Sequence, residues 1–333
     1  MSKYDKFLKR VDLIRNQVAR EELREQEAAT KRKQRIQQQN TQRYAEYQRI
    51  LRAELEARIF ASVTSVGGET DVPGGVDTDA QAFITAASIT DPTQQSAINQ
   101  LVVDLKGYSI WTKMKAIYPF VGGTASTHKY NLKDPQDTDA AFRLVFSGGW
   151  THSSTGAQPN GTNAYADTKF NLTNFSAYTN ASTGTYLRTN ISQLSVDFGQ
   201  GYVNFGRQGV CLYPRYSSDI IAGCCIGSTV TNGGASSNTD SRGLFVVTRT
   251  GTTQNVRKRG TSTINLTTTN TTDSLYANNN IYLGAANERG VSILAYSSRE
   301  QAFTFMGDYL TSTEIDDLYT AVQAFQTALN RNV

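Results

Sequence analysis

From Trp111 onward the chain is cut by Gly, Asn and Ser into short runs rich in Thr, Tyr, Val, Phe and Ile, in which apolar and polar residues alternate. A period of two places successive side chains on opposite faces of a strand, so a chain of this kind buries its apolar faces only by stacking or closing sheets. Residues 116–121, 141–147, 164–170, 185–189, 194–198, 202–205, 210–213, 222–226, 244–250, 254–258, 280–283 and 302–307 read as strands. Turn signals every ten to fifteen residues predict a large antiparallel sandwich or jelly roll rather than a barrel of regular hairpins. The Asn/Thr/Ser-rich stretches 228–240 and 267–280 read as loops, and no repeat suggests a solenoid.

Residues 2–60 are of a different kind. They contain neither Gly nor Pro and consist of strong helix formers. Apolar residues recur at spacings of three and four at both ends: Tyr4, Phe7, Leu8, Val11, Ile14 and Val18, then Tyr44, Tyr47, Leu51, Leu55 and Ile59. One helix of this length would be about 90 Å long, too long to lie within a domain built by the rest of the chain. Its two seams therefore predict association with other copies, most simply as a coiled-coil homotrimer, while the polar middle stays solvated. The alternative is a charged, partly disordered tail.

Gly67, Gly68, Pro73, Gly74 and Gly75 mark a linker. Residues 79–89 then read as a short apolar helix. A second helix is predicted after Asp91-Pro92, with Ile98, Leu101, Val102 and Leu105 on one face and Gly107 as its stop. At the far end, residues 313–330 read as a helix capped by Thr313 and Asp316, with Leu318, Val322 and Phe325 in its apolar stripe. The expected organisation is a helical anchoring arm (1–60), a Gly/Pro linker (61–79), a short helical collar (80–110) and a β body closed by a C-terminal helix (111–333).

Charge supports this division. Of 33 Lys+Arg and 29 Asp+Glu, the first sixty residues hold 15 and 9, so a basic arm precedes a near-neutral body. The run Lys31-Arg32-Lys33-Gln34-Arg35 is short and lacks interleaved aromatics, which argues against a nucleic-acid partner. Cys211, Cys224 and Cys225 fit neither a disulfide framework nor a zinc pattern and read as buried thiols on strands. No run approaches a membrane span and the N-terminus lacks a signal-peptide core, so neither membrane insertion nor secretion by its own signal is expected.

Four segments, residues 111–123 (beginning Trp111-Thr112-Lys113-Met114 and including Tyr118-Pro119-Phe120-Val121), 128–135 (His128-Lys129-Tyr130-Asn131), 146–152 (Phe146-Ser147-Gly148-Gly149-Trp150-Thr151-His152) and 318–326, resemble a module recurring in bacteriophage virion appendages. That module is a concanavalin-A-like, laminin-G-like jelly roll. The resemblance covers about residues 80–330 and leaves out the arm. It implies a virion subunit of a tail fibre or head fibre, held to other virion structural proteins and displaying a lectin-like domain toward a host-surface glycan. It brings no mapped binding residues and leaves the type of fibre open.

The chemistry legible in the residues is sparse. The nearest match to a glycosidase Glu-x-Asp-x-Glu strand is Glu314-Ile315-Asp316-Asp317-Leu318, which lacks the last acid and falls in a helix-capping turn. His128 and His152 each lie in a Gly/Ser/Thr-rich turn and read as loop histidines, exposed or structural, with no nucleophile elbow nearby. Asp134, Asp137, Asp139 and Asp167 could offer oxygens to calcium, or cap turns. No catalytic residue, metal ligand or cofactor is expected, and the chain is expected not to be an enzyme. Among the aromatics Trp150, Tyr165, Tyr178, Tyr202, Tyr213, Tyr216, Tyr276, Tyr282 and Tyr296, most alternate within strands and read as core or cross-strand pairs. Trp150 and Tyr178, in expected loops, are the candidate glycan-contacting residues.

Overall fold

The structure is a computed structural model that describes residues 75–201, 209–216, 220–227, 235–269 and 278–333. They belong to one compact unit beginning at Gly74. The expected arm, most of the linker and the strand expected at 202–205 lie outside the described residues.

Among the described residues, two sheets make the body. The first has eight strands in the order β13 (Ile264–Thr269), β12 (Thr253–Arg259), β11 (Gly243–Thr250), β6 (Asn180–Leu187), β17 (Gln301–Gly307), β4 (Gly156–Pro159) and β3 (Trp150–Ser153), with β1 (Met114–Tyr118) also on β17. The second has nine, in the order β10 (Ala235–Ser237), β9 (Ile220–Gly227), β8 (Gly209–Tyr216), β7 (Phe198–Gly201), β14 (Asn280–Leu283), β5 (Tyr165–Asn171) and β2 (Val145–Ser147), with the hairpin β15 (Ala286–Glu288) and β16 (Ser292–Leu294) attached to β7. Pairing is antiparallel except for β15 on β7. The expected mainly β, sandwich-like architecture is present.

Alternation sorts side chains of the first sheet into two layers. On β11, Leu244 and Val246 face a core shared with the helices, while Phe245 and Val247 face the second sheet. Phe303 and Phe305 of β17 join the helical layer, and Met306 joins the inter-sheet layer. Central strands of the first sheet are thus buried on both faces. Ala166, Phe170, Phe198, Leu212, Ile281 and Leu283 supply the inter-sheet layer from the second sheet.

The helical layer is α1 (Thr78–Ala86), α2 (Pro92–Gly107) and α4 (Ser312–Ala328), with the single turn α3 (Ala125–His128) elsewhere. Asp91 caps α2 by accepting from Gln94 N, and Pro92 occupies the first turn, as the sequence predicts. The cap of α4 is two residues earlier than expected. Thr311 accepts from Glu314 N, and Glu314 Oε2 accepts from Thr311 N at 2.8 Å, a complete capping box. Lys113 Nζ contacts Glu314 at 2.5 Å, so this carboxyl is held below its usual range by the lysine against the upward push of burial.

Several local expectations fail: residues 194–197, expected in a strand, lie outside one, since β7 begins at Phe198, and residues 235–237, expected in a loop, form β10. The strand expected over 141–147 is interrupted by a tight turn at Asp139–Ala141 and by Phe142 in the left-handed region, so only its end joins β2. β3, β4, β13 and the β15–β16 hairpin were not anticipated, because polar Thr, Ser and Gln occupy their outward positions. Residues 267–269, expected in a loop, complete β13 as partners of β12.

Phe325 is 3% exposed and packs in the helical layer. Phe325→Ala should cost about 3–5 kcal/mol in denaturant unfolding, through loss of buried area and a cavity. A midpoint matching wild type would show that α4 contributes little to the body.

Candidate functional site

The outward face of the nine-stranded sheet carries two different surfaces. Toward β8, Val196, Cys211, Tyr213 and Ala286 bury one another, with Tyr216 and Ala295 against them, so the β15–β16 region covers this part. Toward β14, β5 and β2 the face is only half-covered. Along β5, Ala166, Thr168 and Phe170 point inward, leaving Tyr165, Asp167, Lys169 and Asn171 outward; on β14 Asn280 and Tyr282 do the same.

Register brings these residues together. Tyr282 pairs with Asp167, which on its other side pairs with Val145, while Ser147 pairs with Tyr165. The rings of Tyr165 and Tyr282 stack with centroids 4.8 Å apart and planes 19° from parallel. Burial, then the fields of Asp167 and Tyr165, push the Tyr282 hydroxyl above its ordinary pKa; burial, then Tyr165, does the same for Tyr296 beside them. Asp167 Oδ1 accepts from Asn280 Nδ2 at 2.9 Å and from Lys169 N at 2.8 Å, and Oδ2 lies 3.1 Å from Lys169 Nζ. Lys169 adopts φ 58°, and the β14–β5 register slips between Asn280 and Tyr282. This bulge turns the Lys169 amide onto Asp167, beside the stacked Tyr165 and Tyr282 that form a ledge.

Trp150 does not stand in a loop, as expected, but opens β3 opposite Pro159. Its indole donates to Tyr165 O at 3.1 Å and its ring meets Phe146 edge-on. A side chain at Gly284 would come within 3.1 Å of the indole, which explains a glycine at this corner. Trp150 therefore supports Tyr165 from behind. Tyr178 lies elsewhere: it precedes β6 and packs against the inter-sheet core, at the end of β6 opposite to that where Leu187, Gln301 and Ala157 link β6, β17 and β4. The structure does not bring the two candidates together.

The histidines, expected as separate loop residues, form a pair. His128 is 1% exposed, and its Nδ1 lies 2.9 Å from Nδ1 of His152. Phe120 meets the His128 ring and Phe146 the His152 ring edge-on. Burial, with the fields of His152 and Arg331, pushes His128 down to about 3 from the ordinary 6.5. Turn-rich sequence around each histidine concealed this, since the contact spans two chain segments.

The loop acids considered for calcium are engaged. Asp137 pairs with Lys129 and Arg143, Asp139 with Arg143 and Lys169, and Asp134 accepts from Gln136. Glu314 and Asp316 lie on α4, paired with Lys113 and Arg259. Next to the ledge, Ala125, Ser126, Lys129, Arg143, Leu144, Val145 and Phe146 line an open depression of about 330 Å³.

No family model matches the chain, and no curated protein matches it. Solved structures similar to it include domain 4 of AbnA, a GH43 extracellular arabinanase from Geobacillus stearothermophilus in complex with arabinotriose, at 12% identity and TM-score 0.43, covering 62% of this chain and 98% of that one. A Trypanosoma rangeli sialidase mutant displaying trans-sialidase activity matches at 9% identity and TM-score 0.42, over 69% of this chain and 39% of its own. A GH54 α-L-arabinofuranosidase soaked with a cyclic sulfate inhibitor matches at 8% identity and TM-score 0.41, over 68% and 65%. The expectation that the chain is not an enzyme is corrected by these neighbours, all drawn from glycan-active enzymes. A likeness this distant carries no assignment of activity in the other direction.

His128 gives a signed pH prediction. Its folded pKa is depressed, so below 6.5 the unfolded chain binds a proton that the folded chain refuses until about pH 3. The histidine's contribution is fully present above pH 6.5 and is lost as pH falls toward 3, by at most about 5 kcal/mol. Denaturant unfolding between pH 7.5 and 4 should steepen over this window in wild type and flatten in His128→Gln; identical slopes would refute the assignment.

Proposed function

We propose that the β body is a glycan-recognition domain of a bacteriophage virion appendage, a concanavalin-A-like jelly roll that holds sugar on the outward face of its nine-stranded sheet. The single observation that carries the binding reading is the stacked Tyr165–Tyr282 pair beside Asp167 and Asn280. Aromatic faces pack on the CH faces of a pyranose or furanose ring, while the carboxylate and carboxamide give its hydroxyls directional partners. The basic, helix-forming residues 1–60 supply the rest of the proposal: they join copies, most simply three, and anchor them to other virion proteins. Weak single-site affinity then becomes useful through presentation of several copies, which raises avidity by about 10² to 10⁴. Tail attachment is favoured over head attachment because an arm followed by a recognition domain suits a host-facing tip.

The test is a glycan array of host-surface polysaccharides probed with the full chain. Tyr165→Ala and Tyr282→Ala should each weaken any binding about tenfold or more, equivalent to about 1.4 kcal/mol. Tyr178→Ala should leave it unchanged. Equal binding by all three variants, or no binding to any host polysaccharide, would overturn the site.

Glycan cleavage is the second reading, and one observation favours it. Lys169 Nζ contacts Asp167 at 3.1 Å and Asp139 at 3.5 Å, so the two carboxylates lie within roughly 7 Å of each other, a separation found in glycosidase pairs. Reducing sugar released from a bound polysaccharide, and abolished by Asp139→Asn or Asp167→Asn, would establish this reading over simple binding.

A further inference from the structure

We propose that Lys258 and Asn238 join in an intramolecular amide bond that staples the two sheets together. Lys258 belongs to β12 of the eight-stranded sheet, where inward-facing Gln254, Val256 and Lys258 alternate with outward Arg257 and Arg259. Asn238 follows β10 at the edge of the nine-stranded sheet. The lysine is 0% exposed and the asparagine 3%. Nζ lies 2.8 Å from Asn238 Oδ1 and is steadied by the Asp240 main-chain oxygen and by the face of Phe245, 5.5 Å away. Asn238 is itself held, its Nδ2 donating to Pro214 O.

This is an uneasy place for an ammonium ion. The acceptors on Nζ are neutral dipoles, and burying a charge without a direct counter-charge is costly. Burial pushes Lys258 down to about 8, with Arg242 and Arg215 adding to the downward push and Asp240 opposing it, so a substantial fraction is a neutral amine at mildly alkaline pH. A neutral amine at hydrogen-bond distance from the carboxamide oxygen stands one bond away from the carbon it would attack as a nucleophile.

The chemistry closes without a further reagent. Having given up its proton, Nζ attacks Asn238 Cγ, and a bond forms between them. The Cγ–Nδ2 bond then breaks, Nδ2 takes the second proton lost by Nζ, and the nitrogen departs as ammonia, which binds the proton first released. The ammonium and the primary amide become a secondary amide and an ammonium ion, with no oxidation or reduction. The product is neutral, which relieves the buried charge.

The measurement is the intact mass of the folded, purified full chain, denatured only for analysis. Cross-linked protein is lighter than its sequence by one ammonia, about 17 Da, and Lys258→Met and Asn238→Ala each show their full sequence masses. A tryptic digest of the wild type should yield residues 216–242 joined to the dipeptide Lys258-Arg259, because the modified lysine is no longer cleaved. A wild-type mass equal to its sequence after incubation at pH 8, with both residues recovered in separate peptides, overturns the proposal. Since the wild-type mass and digest decide the question, a variant that fails to fold leaves the test intact.

Discussion

The arrangement of the open face of the nine-stranded sheet depends on a buried ion pair. Asp197 and Arg299 are both fully buried and meet at 2.8 Å immediately before β7 in one sheet and β17 in the other. Arg299 also donates to the main-chain oxygens of Ile191, Gln193 and Arg215 and to Ser195 Oγ, so the guanidinium is satisfied on every edge. Asp197 accepts from Ser297 Oγ; burial raises its carboxyl above the usual range against the pull of Arg299 and Ser297. A buried pair of this kind need not add net stability, but neither partner can be lost cheaply. What it contributes is position: Gly284 N donates to Asp197 O and Ser297 N to Gly284 O, which sets the corner between Tyr282 and Tyr296.

That corner sets where the tyrosine ledge stands. Tyr282 leads into Gly284, Tyr296 leads into Ser297, and Trp150 packs beside the glycine while holding the Tyr165 carbonyl. Three rings from three segments are fixed by contacts lying behind them.

The two-faced burial of the eight-stranded sheet has a second consequence. Helices cover one side and the other sheet covers the opposite side, so among the described residues the broad open sheet face is that of the nine-stranded sheet. There the β15–β16 region covers the apolar stretch around Cys211 and Tyr213, leaving the polar and aromatic stretch around Asp167 open. Burial on one side of the body thus leaves the polar and aromatic sheet face on the other.

How much of this was legible in the residues depended on the range of the interaction. Period-two alternation, the Asp91-Pro92 start of α2 and the apolar stripe of α4 determined a β body with flanking helices, because strands, caps and amphipathic faces are written within a few neighbouring positions. Even there, Thr311 rather than Thr313 caps α4, since it is Thr311 that has Glu314 three residues on to close the capping box. Tertiary structure alone decided the site. The outward positions 165, 167, 280 and 282 alternate correctly in the sequence, but which face would remain uncovered depended on where the helices and the β15–β16 hairpin came to rest. His128 with His152, Trp150 behind Tyr165, and Asp197 with Arg299 join segments 15 to more than 100 residues apart. Such contacts follow from strand order and register, which local propensity does not encode.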